Sequence, residues 1–268
     1  MGFDLTGLLG GLLDITGMQL IMVAVGLLLM GLGIFKDYEP TLLIPIGFGC
    51  ILGNLPVAAN MVGEHGLFGV LYKAGISNEL FPLLIFLGVG AMLDLRPLLS
   101  QPIMFIMGAF AHLGIFATLI VALLLGFNLA ESTAIGMIGA IDGPTVIYVN
   151  GKLGDLFVTP GLAAAIAVTA YSYMSLVPII QPPLMRLFTT KKERGIRMEY
   201  TPRPVSRATV IIFPILITVI AGIFLPEAAP LIATLMLGNL LKESEVVPGL
   251  VETSKNAITN TATIFLGI

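Results

Sequence analysis

From Met18 to Phe35 the chain carries no Asp, Glu, Lys or Arg. A helix of about 20 apolar residues crosses the hydrocarbon core of a bilayer, and this run is close to that length. Other apolar stretches follow at 80–93, 103–127, 130–149, 160–178, 208–225 and 230–241. Another covers 42–57, interrupted by Pro45, Gly47, Gly49, Gly53 and Pro56. Backbone groups in lipid must be satisfied within the spanning structure, so long apolar runs of this kind are expected as helices. The expected fold class is an all-α polytopic membrane protein whose apolar surface meets the lipid bilayer and neighbouring helices. Composition agrees: 57% of residues are hydrophobic and 11% charged, where a soluble domain carries about 25% charged residues. The mean hydropathy is +1.02. A net charge of −3 gives no basic footprint for nucleic acid. The single cysteine, Cys50, excludes an internal disulfide framework. His65 and His112 are too few and too far apart for a metal cluster. No nucleophile elbow, Walker loop or zinc signature is present.

The ends and loops set expectations for topology. Residues 1–17 lack a basic leader region, so they do not read as a cleavable signal. Leu5, Leu8, Leu9, Leu12 and Leu13 share one helical face between Asp4 and Asp14, the pattern of a helix lying in the membrane interface. Residues 60–80 are more polar and read as a connection or a surface helix. Gln181-Pro-Pro183 is expected to end the span that begins at Pro160. The loop 186–207 holds Arg186, Lys191, Lys192, Arg194, Arg197, Arg203 and Arg207, seven of the thirteen basic residues. The positive-inside rule places it in the cytoplasm. The acidic N-terminal segment weakly favours the outside. Five crossings then separate the two, although six apolar stretches lie between them. Residues 130–149 are the candidate for a re-entrant or split element.

Three short matches recur in the same order. Gly33-Ile-Phe35 returns as Gly222-Ile-Phe224, Leu52-Gly-Asn-Leu55 as Leu237-Gly-Asn-Leu240, and Ile85-Phe-Leu-Gly88 as Ile264-Phe-Leu-Gly267. Duplicated membrane halves are a common transporter architecture, with binding sites at the repeat interface. An odd number of crossings per copy makes the halves inverted. The expected organisation is an N-terminal interfacial helix (1–17), a first transmembrane repeat (18–185), a basic cytoplasmic loop (186–207) and the start of a second repeat (208–268). That second copy is expected to be truncated before its counterpart of residues 136–148.

Chemistry concentrates at Gly136-Met-Ile-Gly-Ala-Ile-Asp142-Gly-Pro-Thr145-Val-Ile-Tyr148. One acid sits in an apolar run, and Gly143-Pro144 interrupts a helix there. A charge at the bilayer centre costs about 2.5–3.5 kcal/mol on insertion scales, so it needs a partner or a purpose. A turn aspartate at the membrane surface is the competing reading, disfavoured by apolar sequence on both sides. Thr145 and the carbonyls near Gly139 and Gly143 can add oxygen ligands for a hard cation such as Na⁺. Ser172 and Tyr173 lie in an apolar helix and can reach the same cavity or simply bond between helices. Asn54 and Asn239 read as helix glue, His112 as a packed histidine, and Glu131 as part of a helix start.

Gly139-Ala-Ile-Asp-Gly-Pro-Thr145, Ala170-Tyr-Ser-Tyr-Met174 and Ile180-Gln-Pro-Pro183 closely resemble the beta subunits of the sodium-pumping biotin-dependent decarboxylases. The resemblance covers essentially the whole chain. It implies a membrane subunit that decarboxylates carboxybiotin, takes up a proton from outside and exports Na⁺. It also implies a carboxyltransferase and biotin-carrier subunit, a small single-span membrane subunit and a homo-oligomer within the complex. The setting it implies is a prokaryotic cell (inner) membrane. The family's intramembrane aspartate falls on Asp142 and its functional tyrosine on Tyr173. Its second ligand-bearing element lies beyond residue 268. A Na⁺/H⁺ antiporter without decarboxylase activity is the alternative that Asp142 alone allows, and a non-transporting scaffold subunit is a third. The choice of oxo acid or acyl-CoA would lie in another subunit.

Overall fold

The structure, a computed structural model, describes residues 15–56, 61, 63, 65–101, 103–197 and 204–268. The expected interfacial helix at 1–17 therefore lies almost wholly outside the described residues. All regular structure among the described residues is helical. The elements are α1 (Gly17–Lys36), α2 (Pro40–Asn54), α3 (Leu67–Leu71), α4 (Leu80–Met92), α5 (Arg96–Ser100), α6 (Ile103–Ala111) and α7 (Leu113–Leu124). They continue as α8 (Leu129–Met137), α9 (Gly143–Leu153), α10 (Leu162–Phe188), α11 (Lys191–Arg194), α12 (Arg207–Phe224) and α13 (Ala229–Ser244). The last two are α14 (Pro248–Thr253) and α15 (Thr259–Gly267). Two π-helical segments, Tyr72–Ile76 and Ser254–Ile258, follow α3 and α14.

Four helical stretches are long and apolar enough to cross a membrane: Gly17–Lys36, Ile103–Leu124, Leu162–Phe188 and Arg207–Phe224. A fifth becomes possible if Leu67–Ile76 and Leu80–Met92 form one broken span. The chain is an all-α polytopic membrane protein. Large apolar side chains such as Phe35, Leu124, Phe188 and Phe224 project outward along these helices, as lipid-facing surfaces require.

By contacts the chain divides into two compact units, one taking in residues up to Leu80 with Thr263–Ile268 and the other Phe81–Ala262. In the first, α1 and α2 form a tight hairpin. A Cβ at Gly26 would lie 2.6 Å from the Gly47 carbonyl, and one at Gly47 would lie 2.6 Å from the Gly26 carbonyl. Small residues let helix backbones meet in this way. Gly47 thus packs against the facing helix. Asn54 donates to the Cys50 carbonyl of its own helix, at 2.8 Å.

In the second unit α4 meets α13 backbone to backbone. A Cβ at Gly90 would lie 1.9 Å from the Leu235 carbonyl, and one at Gly238 would lie 1.9 Å from the Leu87 carbonyl. The buried Asn239 donates to the Leu93 carbonyl at 3.1 Å, and Lys242 donates to the same oxygen. Arg96 pairs with the buried Glu243 at 2.7 Å. Asn239 is therefore glue that caps the end of α4. Overpacking at such a contact costs about 1–3 kcal/mol or more. Gly90→Val and Gly238→Val are each expected to lower stability by about 3 kcal/mol in detergent thermal unfolding. Because both break one contact, the double variant loses less than the sum; strictly additive losses would mean that the two glycines serve separate contacts.

Three sequence expectations need correction. His112, within the span Ile103–Leu124, meets the Gly108 carbonyl of its own stretch at 2.6 Å, as a hydrogen-bonded histidine does, but its side chain is exposed and not packed. Gln181-Pro-Pro183 does not end its span: α10 runs on to Phe188 with Pro178, Pro182 and Pro183 inside it. Prolines delete single i→i−4 bonds, and the surrounding turns keep a membrane helix continuous. The third concerns the break at Asp142, described below.

One regularity bears on the repeat. Helices and the π segment starting at 17, 40, 72 and 80 are matched in kind and order by those starting at 207, 229, 254 and 259. The recurring tripeptide Gly-Ile-Phe lies at the end of α1 and again at the end of α12.

Candidate ion site

The site is built on α8 and α9, with 9 and 11 residues. Neither reaches the length needed to cross a bilayer alone. α8 opens with a capping box: Asn128 accepts from the Glu131 N–H, and Glu131 accepts from the Asn128 N–H. The expected helix start is therefore found at Glu131, and the residue does more than cap. It is 1% exposed, and its Oε1 accepts from the backbone N–H groups of Val158 and Thr159 at 2.9 and 2.7 Å. A single buried carboxylate thus ties the start of α8 to the loop that leads into α10.

At its other end α8 tightens into a 3₁₀ turn, Ile138–Ala140. Ile141 is then left-handed, with φ 57° and ψ 37°, a conformation that a β-branched residue adopts only under strain. Asp142 is extended, and α9 begins at Gly143. The break was expected at Gly143-Pro144. It lies instead at 138–142, and Gly143-Pro144 opens the next helix. Proline at the start of a helix loses no bond, because the N–H it lacks has no intrahelical partner there. The shift matters for the acid. Asp142 becomes the residue that precedes α9, where exposed N–H groups and the helix dipole favour negative charge.

Asp142 is half-buried. The Thr145 hydroxyl donates to its Oδ2, and no other side chain among the described residues hydrogen-bonds to it. Asp142 and Thr145 thus lie side by side. Gly139 lies in the 3₁₀ turn, exposed, beside Ile115 of α7. Gly143 is buried against the ring of Tyr171, whose Cε2 and Cζ lie 2.8 Å from where a Cβ would stand. Tyr173 is half-buried and faces a different space, a groove of about 440 Å³ lined by Ile141, Val177, Gln181 and Leu184 among others. Ser172 is half-buried, and the buried Ser175 bonds back to the Tyr171 carbonyl at 2.9 Å.

Tyr171 is the residue that sequence reasoning passed over. It is 4% exposed, and its hydroxyl oxygen is buried without a hydrogen-bond partner. Its signal was present as helical spacing: Ile166, Ala170, Tyr171 and Ser175 form the buried face of α10. Behind the site, Ala134, Val146, Ile166 and Ala170 form a small core that locks α8, α9 and α10 together.

This arrangement, one acid at unwound backbone between two short helices in an apolar sequence, suits a site for a small cation or a proton. Residues 18–268 match the family described as the Na⁺-transporting oxaloacetate decarboxylase beta subunit. The chain belongs to this family. It is 51% identical over 256 residues to a methylmalonyl-CoA decarboxylase subunit beta of Veillonella parvula. It is 46% identical over 256 residues to a glutaconyl-CoA decarboxylase subunit beta of Acidaminococcus fermentans. It is 40% identical to an oxaloacetate decarboxylase beta chain of Klebsiella pneumoniae. Each match takes in 96% of this chain, but only 66% of the first two relatives and 72% of the third. The chain thus spans about two thirds of the length of these beta subunits.

Proposed function

We propose that this chain forms part of the membrane subunit of a sodium-pumping, biotin-dependent decarboxylase. Carboxybiotin presented by a partner biotin carrier loses CO₂: the N–C bond breaks, CO₂ leaves and the ring nitrogen takes a proton. That proton comes from outside by way of Asp142. Na⁺ binds the ionised carboxylate from the cytoplasmic side, with Thr145 and the backbone oxygens near Gly139 and Gly143 as further ligands. Protonation of Asp142 then expels Na⁺ outward. A carboxylate holds Na⁺ or H⁺ but not both strongly, so the two flows are coupled by exclusion. Tyr173, beside Ile141 in the groove along α10, is the catalytic tyrosine on this reading. The family relationship favours this over a plain Na⁺/H⁺ antiporter. The observation that carries it is the placement of Asp142 at the break between α8 and α9.

The same reading assigns a carboxyltransferase and biotin-carrier subunit, a small single-span subunit and a homo-oligomeric arrangement in a prokaryotic inner membrane. The loop 186–207 then faces the cytoplasm, where the partners dock. The matched element order of 17–92 and 207–267 supports two related halves, 18–185 and 208 onward, with inverted topology.

The test uses inside-out vesicles that carry the complete complex. Oxaloacetate, methylmalonyl-CoA and glutaconyl-CoA are supplied in turn. One of them is expected to drive Na⁺ uptake, and avidin, by masking biotin, stops it. Uptake that needs only a pH gradient and ignores avidin would transfer the assignment to an antiporter.

A further inference from the structure

The Tyr171 hydroxyl has no bonding partner where it needs one. Buried polar groups are satisfied in about nine cases out of ten, and each exception calls for a cause such as an ion or a water. A buried hydroxyl left without a partner forfeits its hydration and gains nothing in return. Phenylalanine would fill the same space without that cost, so packing alone does not explain tyrosine here.

Three observations locate the missing partner. The ring lies on Gly143, the first residue of α9, so close that any side chain there would collide with it. Asp142 immediately precedes that glycine, and its carboxylate receives one side-chain hydrogen bond, from Thr145. The phenol oxygen is closed off from solvent, so bulk water does not serve it. Tyr173, by contrast, borders an open groove.

We propose that the Tyr171 hydroxyl is an oxygen ligand of the Na⁺ held at Asp142, an assignment that rests on the reading of Asp142 as the ion site. On this assignment a lone pair of the phenol oxygen meets the cation. Glycine at 143 is then required because it lets the ring approach. When Asp142 is protonated and Na⁺ departs, the phenol loses its partner, which favours reloading of the site.

The experiment measures Na⁺ binding to the purified complete complex by isotope isotherm, and Na⁺-induced stabilisation by thermal unfolding. Ligand binding raises stability by RT ln(1 + [L]/Kd), so the two readouts check each other. Tyr171→Phe is expected to raise the half-saturating Na⁺ concentration about tenfold and to shrink the Na⁺-induced rise in Tm. Its Tm without Na⁺ stays at or above wild type, because an unsatisfied hydroxyl has gone. Gly143→Ala, which displaces the ring and keeps the hydroxyl, also weakens Na⁺ binding. Wild-type affinity in Tyr171→Phe, with binding lost in Asp142→Asn, overturns the Tyr171 assignment alone. Retained binding in Asp142→Asn removes the ion-site reading and this proposal with it.

Discussion

Asp142→Asn is expected to abolish decarboxylation-driven Na⁺ accumulation in vesicles that carry the complete complex. Asparagine keeps the size of the side chain and an oxygen that can accept from Thr145, so the fold survives and the loss reports on charge. Removing one partner of a buried charge pair costs about 3–5 kcal/mol. At 1.4 kcal/mol per tenfold, Na⁺ binding falls by about two to three and a half decades, below what transport at millimolar Na⁺ detects. Competition gives the sign of the pH dependence. On the proposed reading the wild-type carboxylate binds Na⁺ only when ionised, so the half-saturating Na⁺ concentration is expected to rise as pH falls, approaching tenfold per pH unit. In Asp142→Asn any residual Na⁺ binding loses that slope. Asp142→Glu keeps the charge one methylene out of place and is expected to fall between the two. Full pumping by Asp142→Asn would remove this acid from the transport cycle.

The spans were legible because lipid permits so few solutions. An uncharged run such as 18–35 has little choice but a helix, and α1 covers Gly17–Lys36. Asp142 was legible for the complementary reason, since an acid in such a run stands out. The position of the break was not. Gly-Pro ends one helix as well as it begins the next, and only the fold decides which end of the pair the chain uses. Here the 3₁₀ turn and the left-handed Ile141 absorb the bend before the pair is reached. The fate of Gln181-Pro-Pro183 was hidden by the same ambiguity. Tyr171 and Tyr173 differ only in azimuth on α10, by about 200° at 100° per residue. Which of them faces α9 follows from the register of two helices, and one strand of sequence carries no direct record of it. Asn239 and Glu131 were read correctly in kind, as glue and as a cap. Their partners, more than twenty residues away, were unreadable.

The second large effect is expected from Glu131→Ala, and it follows from counting donors. Three backbone N–H groups, of Asn128, Val158 and Thr159, converge on this one carboxylate. Hydrogen bonds to a charged group contribute about 1.5–3 kcal/mol each. Part of that is offset by the cost of burying the carboxylate, since Glu131 is almost fully enclosed. The net loss is expected to lower Tm in detergent clearly, by more than any other single hydrogen-bond variant at this end of the site. Glu131→Gln retains one acceptor oxygen and is expected to lose about half as much. The consequence for function follows from position. Glu131 fixes the beginning of α8 to the segment that opens into α10; α8 leads into the unwound backbone that carries Asp142, and α10 carries Tyr171. Loosening that tie leaves every proposed ligand in the chain but no longer at fixed separations. Glu131→Ala should therefore bind Na⁺ more weakly even at temperatures where it remains folded, without the loss of pH dependence that marks Asp142→Asn. A variant with wild-type Tm would mean that the three N–H groups find other partners, and the clasp would not be what holds this end of the site together.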